Sequence, residues 1–276
     1  MEQIDYAVWV RSIEGIAREA GKAILEVYHA QGNFGIETKE DDSPVTRADY
    51  AAHKVIAEGL RQITPEIPLL SEEGVLPSFD IRRGWSRYWL VDPLDGTKEF
   101  ISQNGEFTVN IALIENGVPI LGVVYAPVLD VLYCGVSGQG AWLNKNGASK
   151  AIRVVPVNQR APVRVVASRR HGAEALEGML GRAAQLFPSV TRVNMGSSLK
   201  ICLIAEGLAD WYPRLAPTSE WDTAAAQAIL EAAGGLLCDE SMQPLRYNTK
   251  DSLLNPWFHA MGDVSVDWKR LIAKGA

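Results

Sequence analysis

The stretch Tyr88-Trp89-Leu90-Val91-Asp92-Pro93-Leu94-Asp95-Gly96-Thr97 begins as a bulky apolar run and ends on two carboxylates three residues apart. Tyr88 to Val91 reads as a buried strand that stops at Asp92-Pro93. Pro93 stiffens the turn between the acids, and Gly96 lets the backbone come close to a ligand. If the segment from Thr97 is helical, its free amides form an anion site. Carboxylates and a phosphate repel each other, so a site built of both needs cations between them. Hard oxygen donors point to magnesium or manganese rather than zinc. His29, His53, His171 and His259 are scattered and offer no metal spacing.

Outward from this stretch, helices and strands can be placed by period. Val8, Ile13, Ile16, Ala17, Ala20, Ile24, Val27 and Tyr28 recur at helical spacing between Ile4 and Tyr28. Thr46 opens a second helix with Ala48, Ala51, Ala52, Val55, Ile56 and Leu60 on one face. Thr108 to Ile114, Ile120 to Tyr125 and Val131 to Val136 read as successive strands, the first two joined at Glu115-Asn116-Gly117. After Asn146-Gly147 the order changes. Strands Arg164 to Ala167, Thr191 to Val193 and Trp211 to Pro213 alternate with helices Glu174 to Leu186, Ser198 to Glu206 and Trp221 to Ala233. Gly234-Gly235 ends the last helix, and Leu236 to Cys238 and Phe258 to Met261 close the sheet. The expected class is α/β, with helix and sheet in layers. A metal-binding catalytic part is expected over residues 1–155, and residues 156–276 are expected to complete the site with Asp222 and bind substrate.

The chain has 276 residues, 47% hydrophobic and 22% charged, as an ordinary globular protein does. A net charge of -6 argues against a partner that is a nucleic-acid polymer, since no basic surface replaces the phosphate counterions. A local cluster of cations still allows a single nucleotide as substrate. Cys134, Cys202 and Cys238 lie far apart, which favours a reducing compartment over a disulfide framework. The N-terminus carries acids at Glu2 and Asp5 and lacks the apolar core of a signal peptide, and the apolar runs fall short of the roughly 20 residues of a membrane span. A cytoplasmic protein without an integral membrane segment is expected.

Each acidic piece has a bland alternative. Asp-x-x-Asp is a common surface pair, and Glu72-Glu73 after Pro68-Leu69-Leu70-Ser71 fits a solvated loop. Thr46-Arg47-Ala48-Asp49 and Ser219-Glu220-Trp221-Asp222 both match capping boxes, so spacing alone favours caps over catalysts at Asp49 and Asp222. Thr97 fits a helix start, His171 an exposed loop and Lys200 a solvated helix face.

Together the pieces resemble the inositol monophosphatase superfamily of lithium-sensitive, magnesium-dependent phosphatases. The matching strings are LLSEE at Leu69 to Glu73, WLVDPLDGTKEF at Trp89 to Phe100 and WDTAAAQAIL at Trp221 to Leu230. Within it the chain is most similar to the bacterial CysQ-type 3'(2'),5'-bisphosphate nucleotidases. DDSPVTRAD at Asp41 to Asp49, NGEFTVNIALIENG at Asn104 to Gly117, GVVYAPV at Gly122 to Val128, GSSLKICLIAEG at Gly196 to Gly207 and LNPWF at Leu254 to Phe258 carry that similarity. Two departures stand out. Ser168-Arg169-Arg170-His171 has arginine where SRSH is usual, and Ile101-Ser102-Gln103 lacks the common basic residues.

The resemblance implies a first Mg2+ on Glu72, Asp92 and the carbonyl of Leu94, and a second on Asp92, Asp95 and Asp222. Glu73 would stand behind them or serve a weaker third metal. Asp49 and Thr97 are implied as the pair that positions and deprotonates the attacking water. One metal would acidify the water and the other would stabilise the leaving alkoxide. Glu72, Leu94, Asp95, Gly96, Thr97 and Asp222 are also implied at the substrate's phosphate, and Ser168, His171, Gly196 and Lys200 at its nucleoside. The implied reaction takes 3'-phosphoadenosine 5'-phosphate to AMP and phosphate, with phosphoadenylyl sulfate as a second substrate, and clears a by-product of sulfate assimilation. The resemblance leaves room for peripheral association with the inner membrane. An inositol or sugar phosphatase would use the same metal core. A non-catalytic nucleotide sensor would be expected to have lost one of Asp49, Glu72, Asp92, Asp95, Thr97 and Asp222, and all are present.

Overall fold

In α1 (Tyr6–His29), Ile13, Ala17, Ala20 and Ile24 recur at three- and four-residue steps, and all are buried. β1 (Glu37–Thr38) and β2 (Pro44–Val45) form a short antiparallel pair before α2 (Arg47–Ile63), whose Ala48, Ala52, Ile56 and Leu60 make a similar buried stripe. The computed structural model describes residues 6–30, 34–38, 44–167 and 173–272.

β3 (Leu69–Ser71), α3 (Phe79–Arg82), β4 (Arg87–Asp95) and α4 (Thr97–Ile101) come next. A meander of β5 (Thr108–Glu115), β6 (Val118–Ala126), β7 (Val131–Val136), β8 (Gly140–Lys145) and β9 (Ala148–Ile152) follows. These strands form one sheet in chain order from β3 to β9, with β3 parallel to β4 and every later pair antiparallel. β4 alternates between two cores: Trp89 and Val91 face α1 and α2, whereas Tyr88 and Leu90 face the other way. Burial on both faces explains why the run Tyr88 to Val91 is apolar without a break.

The remaining elements are β10 (Val163–Ala167), α5 (Ala173–Leu186), β11 (Val190–Asn194), α6 (Leu199–Ala205), β12 (Trp211–Arg214), α7 (Glu220–Ala232), β13 (Leu236–Asp239), β14 (Phe258–Met261) and α8 (Lys269–Ile272). A second sheet runs β11-β10-β12-β14-β13, with β11, β10 and β12 parallel and the other pairs antiparallel. α6 and α7 lie between the two sheets, and α5 and α8 cover the far face of the second. The layers therefore run helix, sheet, helix, sheet, helix, in the expected α/β class.

α7 lies close on the first sheet because the facing residues are small. A Cβ on Gly122 would fall 2.1 Å from the Ala225 carbonyl oxygen, and one on Gly135 2.5 Å from Ile229 Cα. Only glycine fits at either place, and Ala224, Ala225 and Ala228 complete the contact from the helix side.

Four local expectations change. The strand expected to stop at Asp92-Pro93 pairs with β5 as far as Asp95, with a register irregularity between Asp92 and Asp95. Pro93 has no N–H to give the ladder, so the pairing bends there instead of ending. Leu69 to Ser71 is a strand, and Glu72 N still donates to Val91 O at 3.1 Å, so Glu72 is no loop residue at large. The helix from Thr97 is real but spans only five residues. Asn146-Gly147 does not end the meander: it is the two-residue turn of the β8–β9 hairpin, with φ of 51° at Asn146 and 75° at Gly147, the positive values such a turn favours.

Candidate active site

Four elements bring their ends to one cleft. Asp92 and Asp95 come from the end of β4, Glu72 follows β3, Thr97 opens α4, and Asp222 lies in the first turn of α7. Glu72, Asp92 and Asp222 each offer an oxygen, and these oxygens lie within 4.8 Å of one another. The cleft holds about 370 Å³ and is lined by these acids together with Leu94, Asp95, Gly96, Thr97 and Arg214. A smaller recess of about 80 Å³ shares Asp95, Arg214 and Asp222 and adds Ser197, Lys200 and Tyr212.

Backbone N–H groups fix the acids. Leu94 N donates to Asp92 Oδ1 at 3.0 Å, Ser198 N to Asp95 Oδ2 at 2.6 Å and Ser219 N to Asp222 Oδ2 at 2.9 Å. Ser198 is itself held by Thr108 Oγ1 at 2.8 Å, and its hydroxyl donates to Asn110 Oδ1 at 2.8 Å. Burial pushes the Asp92 carboxyl well above the ordinary carboxylate range, and the charges of Glu72, Asp95 and Asp222 push it further. Asp222 is raised in the same way, by burial first and then by Asp95 and Glu72. Asp95 is pushed up to about 6 by burial, with Lys200 and the Ser198 amide working against the rise. A cluster of mutually repelling oxygen donors is what a hard divalent cation neutralises, so the residues present fit a metal ion of that kind.

Asp49 serves two neighbours with two oxygens. Its Oδ2 accepts from Thr46 N at 2.8 Å and from the Thr46 hydroxyl at 2.7 Å, which is the capping box expected from the sequence. Its Oδ1 faces Thr97 Oγ1 at 3.4 Å. Burial raises its carboxyl, and the Thr46 bonds oppose the rise.

Lys200 is not a solvated helix residue. It leans back along α6, and its Nζ donates to Ser197 O at 2.8 Å and lies 5.7 Å from the centre of the Tyr212 ring. Burial lowers its ammonium to about 8. Gly196 is buried beside the cleft, where a Cβ would fall 2.7 Å from Glu106 O, so the close packing of its loop is its visible role. Ser168 and His171 lie outside the described residues. The sequence reading passed over Arg214, Thr218 and Leu254, all of which line the cleft. Arg214 ends β12 on the side where Asp222 enters, and a lone cation after the run Trp211-Tyr212-Pro213 was the signal available for it.

Among the described residues no helix is long and apolar enough to cross a membrane. Residues 5–269 match the inositol monophosphatase family. The chain is 53% identical over 243 residues to the 3'(2'),5'-bisphosphate nucleotidase CysQ of Salmonella typhimurium, covering 88% of this chain and 95% of that one. The crystal structure of CysQ from Bacteroides thetaiotaomicron superposes with a TM-score of 0.82 at 41% identity, covering 94% of this chain and 99% of that one. An inositol monophosphatase from Zymomonas mobilis aligns at 26% identity and a TM-score of 0.75, covering 98% of each chain. With its layers, its acidic cluster and these relatives, the chain belongs to the inositol monophosphatase family.

Proposed function

We propose that this protein is a Mg2+-dependent nucleotidase that removes the 3' phosphate of 3'-phosphoadenosine 5'-phosphate, giving AMP and phosphate, with phosphoadenylyl sulfate as a second substrate. One observation carries the reading: the cleft and the recess that shares its wall set a cluster of carboxylates beside two cations, Arg214 and Lys200. The acids suit metal ions that receive the reacting phosphate, and the cations suit a second anionic group on the same substrate. The CysQ relatives are named for substrates that carry two phosphates.

Glu72, Asp92, Asp95, Asp222 and the Leu94 carbonyl would hold the Mg2+. When bound, Mg2+ acidifies water and stabilises charge on the leaving oxygen. The chain supplies the proton path. Thr97 Oγ1 can pass a proton to Asp49 Oδ1, and Thr46 fixes the other Asp49 oxygen so that the acceptor stays aimed. A carboxylate made more basic by burial is a better general base than an exposed one. Lys200 would bind the nucleotide from the recess, with Ser168 and His171 at the nucleoside and the cytoplasm as the compartment.

Phosphate release from a panel of phosphorylated metabolites tests this. The highest kcat/KM is expected for 3'-phosphoadenosine 5'-phosphate, with activity lost in chelator and restored by Mg2+ or Mn2+. A higher kcat/KM for inositol phosphate or fructose bisphosphate would replace the nucleotidase by a sugar phosphatase. Full turnover in excess EDTA would remove the metal chemistry.

A further inference from the structure

Residues 248–255 form a segment whose hydrogen bonds converge on the start of α7. At one end, Asn255 Nδ2 lies 2.7 Å from Ser219 O, 3.0 Å from Thr223 Oγ1 and 3.2 Å from Thr218 Oγ1. Asn255 N donates to Thr218 O at 2.8 Å, Glu220 N donates to Leu253 O at 2.8 Å, and Ser219 and Leu254 form an antiparallel bridge. At the other end, Asn248 N donates to Glu220 Oε2 at 2.8 Å. Asn248 Nδ2 donates to Arg82 O at 2.6 Å, and its Oδ1 accepts from Arg82 Nη1 at 2.5 Å. The Arg82 guanidinium also donates to the carbonyls of Lys250 and Asp251. Arg82 is 2% exposed and Glu220 1% exposed, so the segment satisfies two charged groups that water does not reach.

The placement of these groups gives the bonds a use. The first N–H groups of a helix have no partner within it, and a helix start frays unless something outside holds it. Asp222 sits in that first turn, and Ser219 N fixes one of its oxygens. Asn255 in turn holds Ser219 O. Arg82 belongs to α3, in the connector that runs from Glu72 to Asp92, so the same guanidinium ties that connector to the segment holding Asp222.

We propose that residues 248–255 act as a strap that positions Asp222 against Glu72 and Asp92, with the side chains of Asn255, Arg82 and Asn248 as its anchors and the Asn248 backbone N–H as the link to Glu220. None of the three anchoring side chains needs to touch a metal or substrate to act. They set the distance between donors that must meet one ion, and such donors tolerate only small errors in position. This rests on the reading of Glu72, Asp92 and Asp222 as metal ligands.

The test is calorimetric titration of the full chain with Mn2+ alone, without substrate, on Asn255→Ala, Asn248→Gly and Asp222→Asn. Glycine tolerates the left-handed backbone of Asn248, whose φ is 56°, so that variant removes the side chain without adding strain. Asn255→Ala and Asn248→Gly are each expected to weaken Mn2+ binding roughly tenfold, as loss of a group that orients a metal ligand does. In both, kcat should return close to wild type at saturating metal, and amide exchange over residues 219–223 should quicken. Lys150→Ala, an exposed change in β9, should alter neither. If Asp222→Asn binds Mn2+ as wild type does, the metal-site reading fails. If Asp222→Asn loses binding while the folded strap variants keep wild-type affinity, the strap is overturned. Should Asn255→Ala fail to fold, the Asn248→Gly titration decides by the same criteria.

Discussion

α2 and α7 open on the same device, yet their acids face different surroundings. In each, a carboxylate three residues into the box accepts the backbone N–H of the capping residue, Thr46 at 2.8 Å in one and Ser219 at 2.9 Å in the other. Asp49 spends its second oxygen on one hydroxyl, that of Thr97 at 3.4 Å. Asp222 instead stands within 4.8 Å of oxygens from Glu72 and Asp92. A cap uses one carboxylate oxygen and leaves the other free for different work. The capping box therefore does not decide whether its acid is structural. What lies in front of the helix start decides it.

The largest effect is expected at Asp222. The side-chain carbonyl of asparagine can still accept the Ser219 N–H, so Asp222→Asn should keep the fold while removing a charge that the metal needs. At sub-saturating Mg2+, kcat/KM should fall by about a thousandfold, or about 4 kcal/mol, and added Mg2+ should recover part of it. A loss of less than tenfold would leave Asp222 a cap. Asp49→Asn should be smaller and of another kind. Loss of a positioned base lowers kcat by about a hundredfold, and the Mg2+ dependence should stay that of the wild type. If both variants shift the metal dependence alike, the difference between the two helix starts collapses.

The sequence carried the helices and the acids better than the connections between them. α1 and α2 were legible because their apolar stripes repeat within the helix itself. Asp92 and Asp95 were legible because a buried strand that ends on two acids is unusual. β9 was missed because it lies at a sheet edge with Ala148, Ser149, Lys150 and Ala151 all exposed, which leaves no apolar period to read. β3 has three residues and owes its form to parallel pairing with β4, which local sequence does not show. Arg82 and Asn255 escaped for the same reason. Each looks like an ordinary surface polar residue until the fold brings it to α7.

The smallest expected effect is on stability without metal, and it separates the two acids by pH. A buried acid whose carboxyl is raised holds a proton in the folded state that the unfolded chain has already released. Between the ordinary value near 3.8 and the raised one, folding therefore takes up protons, and stability falls as pH rises. For Asp95 that window runs from 3.8 to about 6, and Asp92 and Asp222 are raised well above 3.8 by burial and by one another's neighbours. His259 works in the opposite sense. Burial lowers it from 6.5 to about 4, so its contribution is complete above 6.5 and is lost as pH falls toward 4. Comparing variants cancels the His259 contribution, since it is common to all of them. In chelator, Asp222→Asn should gain stability over wild type as pH rises from 5 to 8, because it removes one of several repelling charges. Asp49→Asn should gain less, because Thr46 already stabilises the charged form of Asp49 with two hydrogen bonds. A difference on the order of 1 kcal/mol would move the melting midpoint by about 2–4 °C in a chain of this size. Saturating Mg2+ should reverse the order and make the wild type the more stable protein, since the ion binds the folded cluster alone. Equal midpoints for the two variants across this range in chelator would mean that the charges around Asp222 do not repel as their spacing requires.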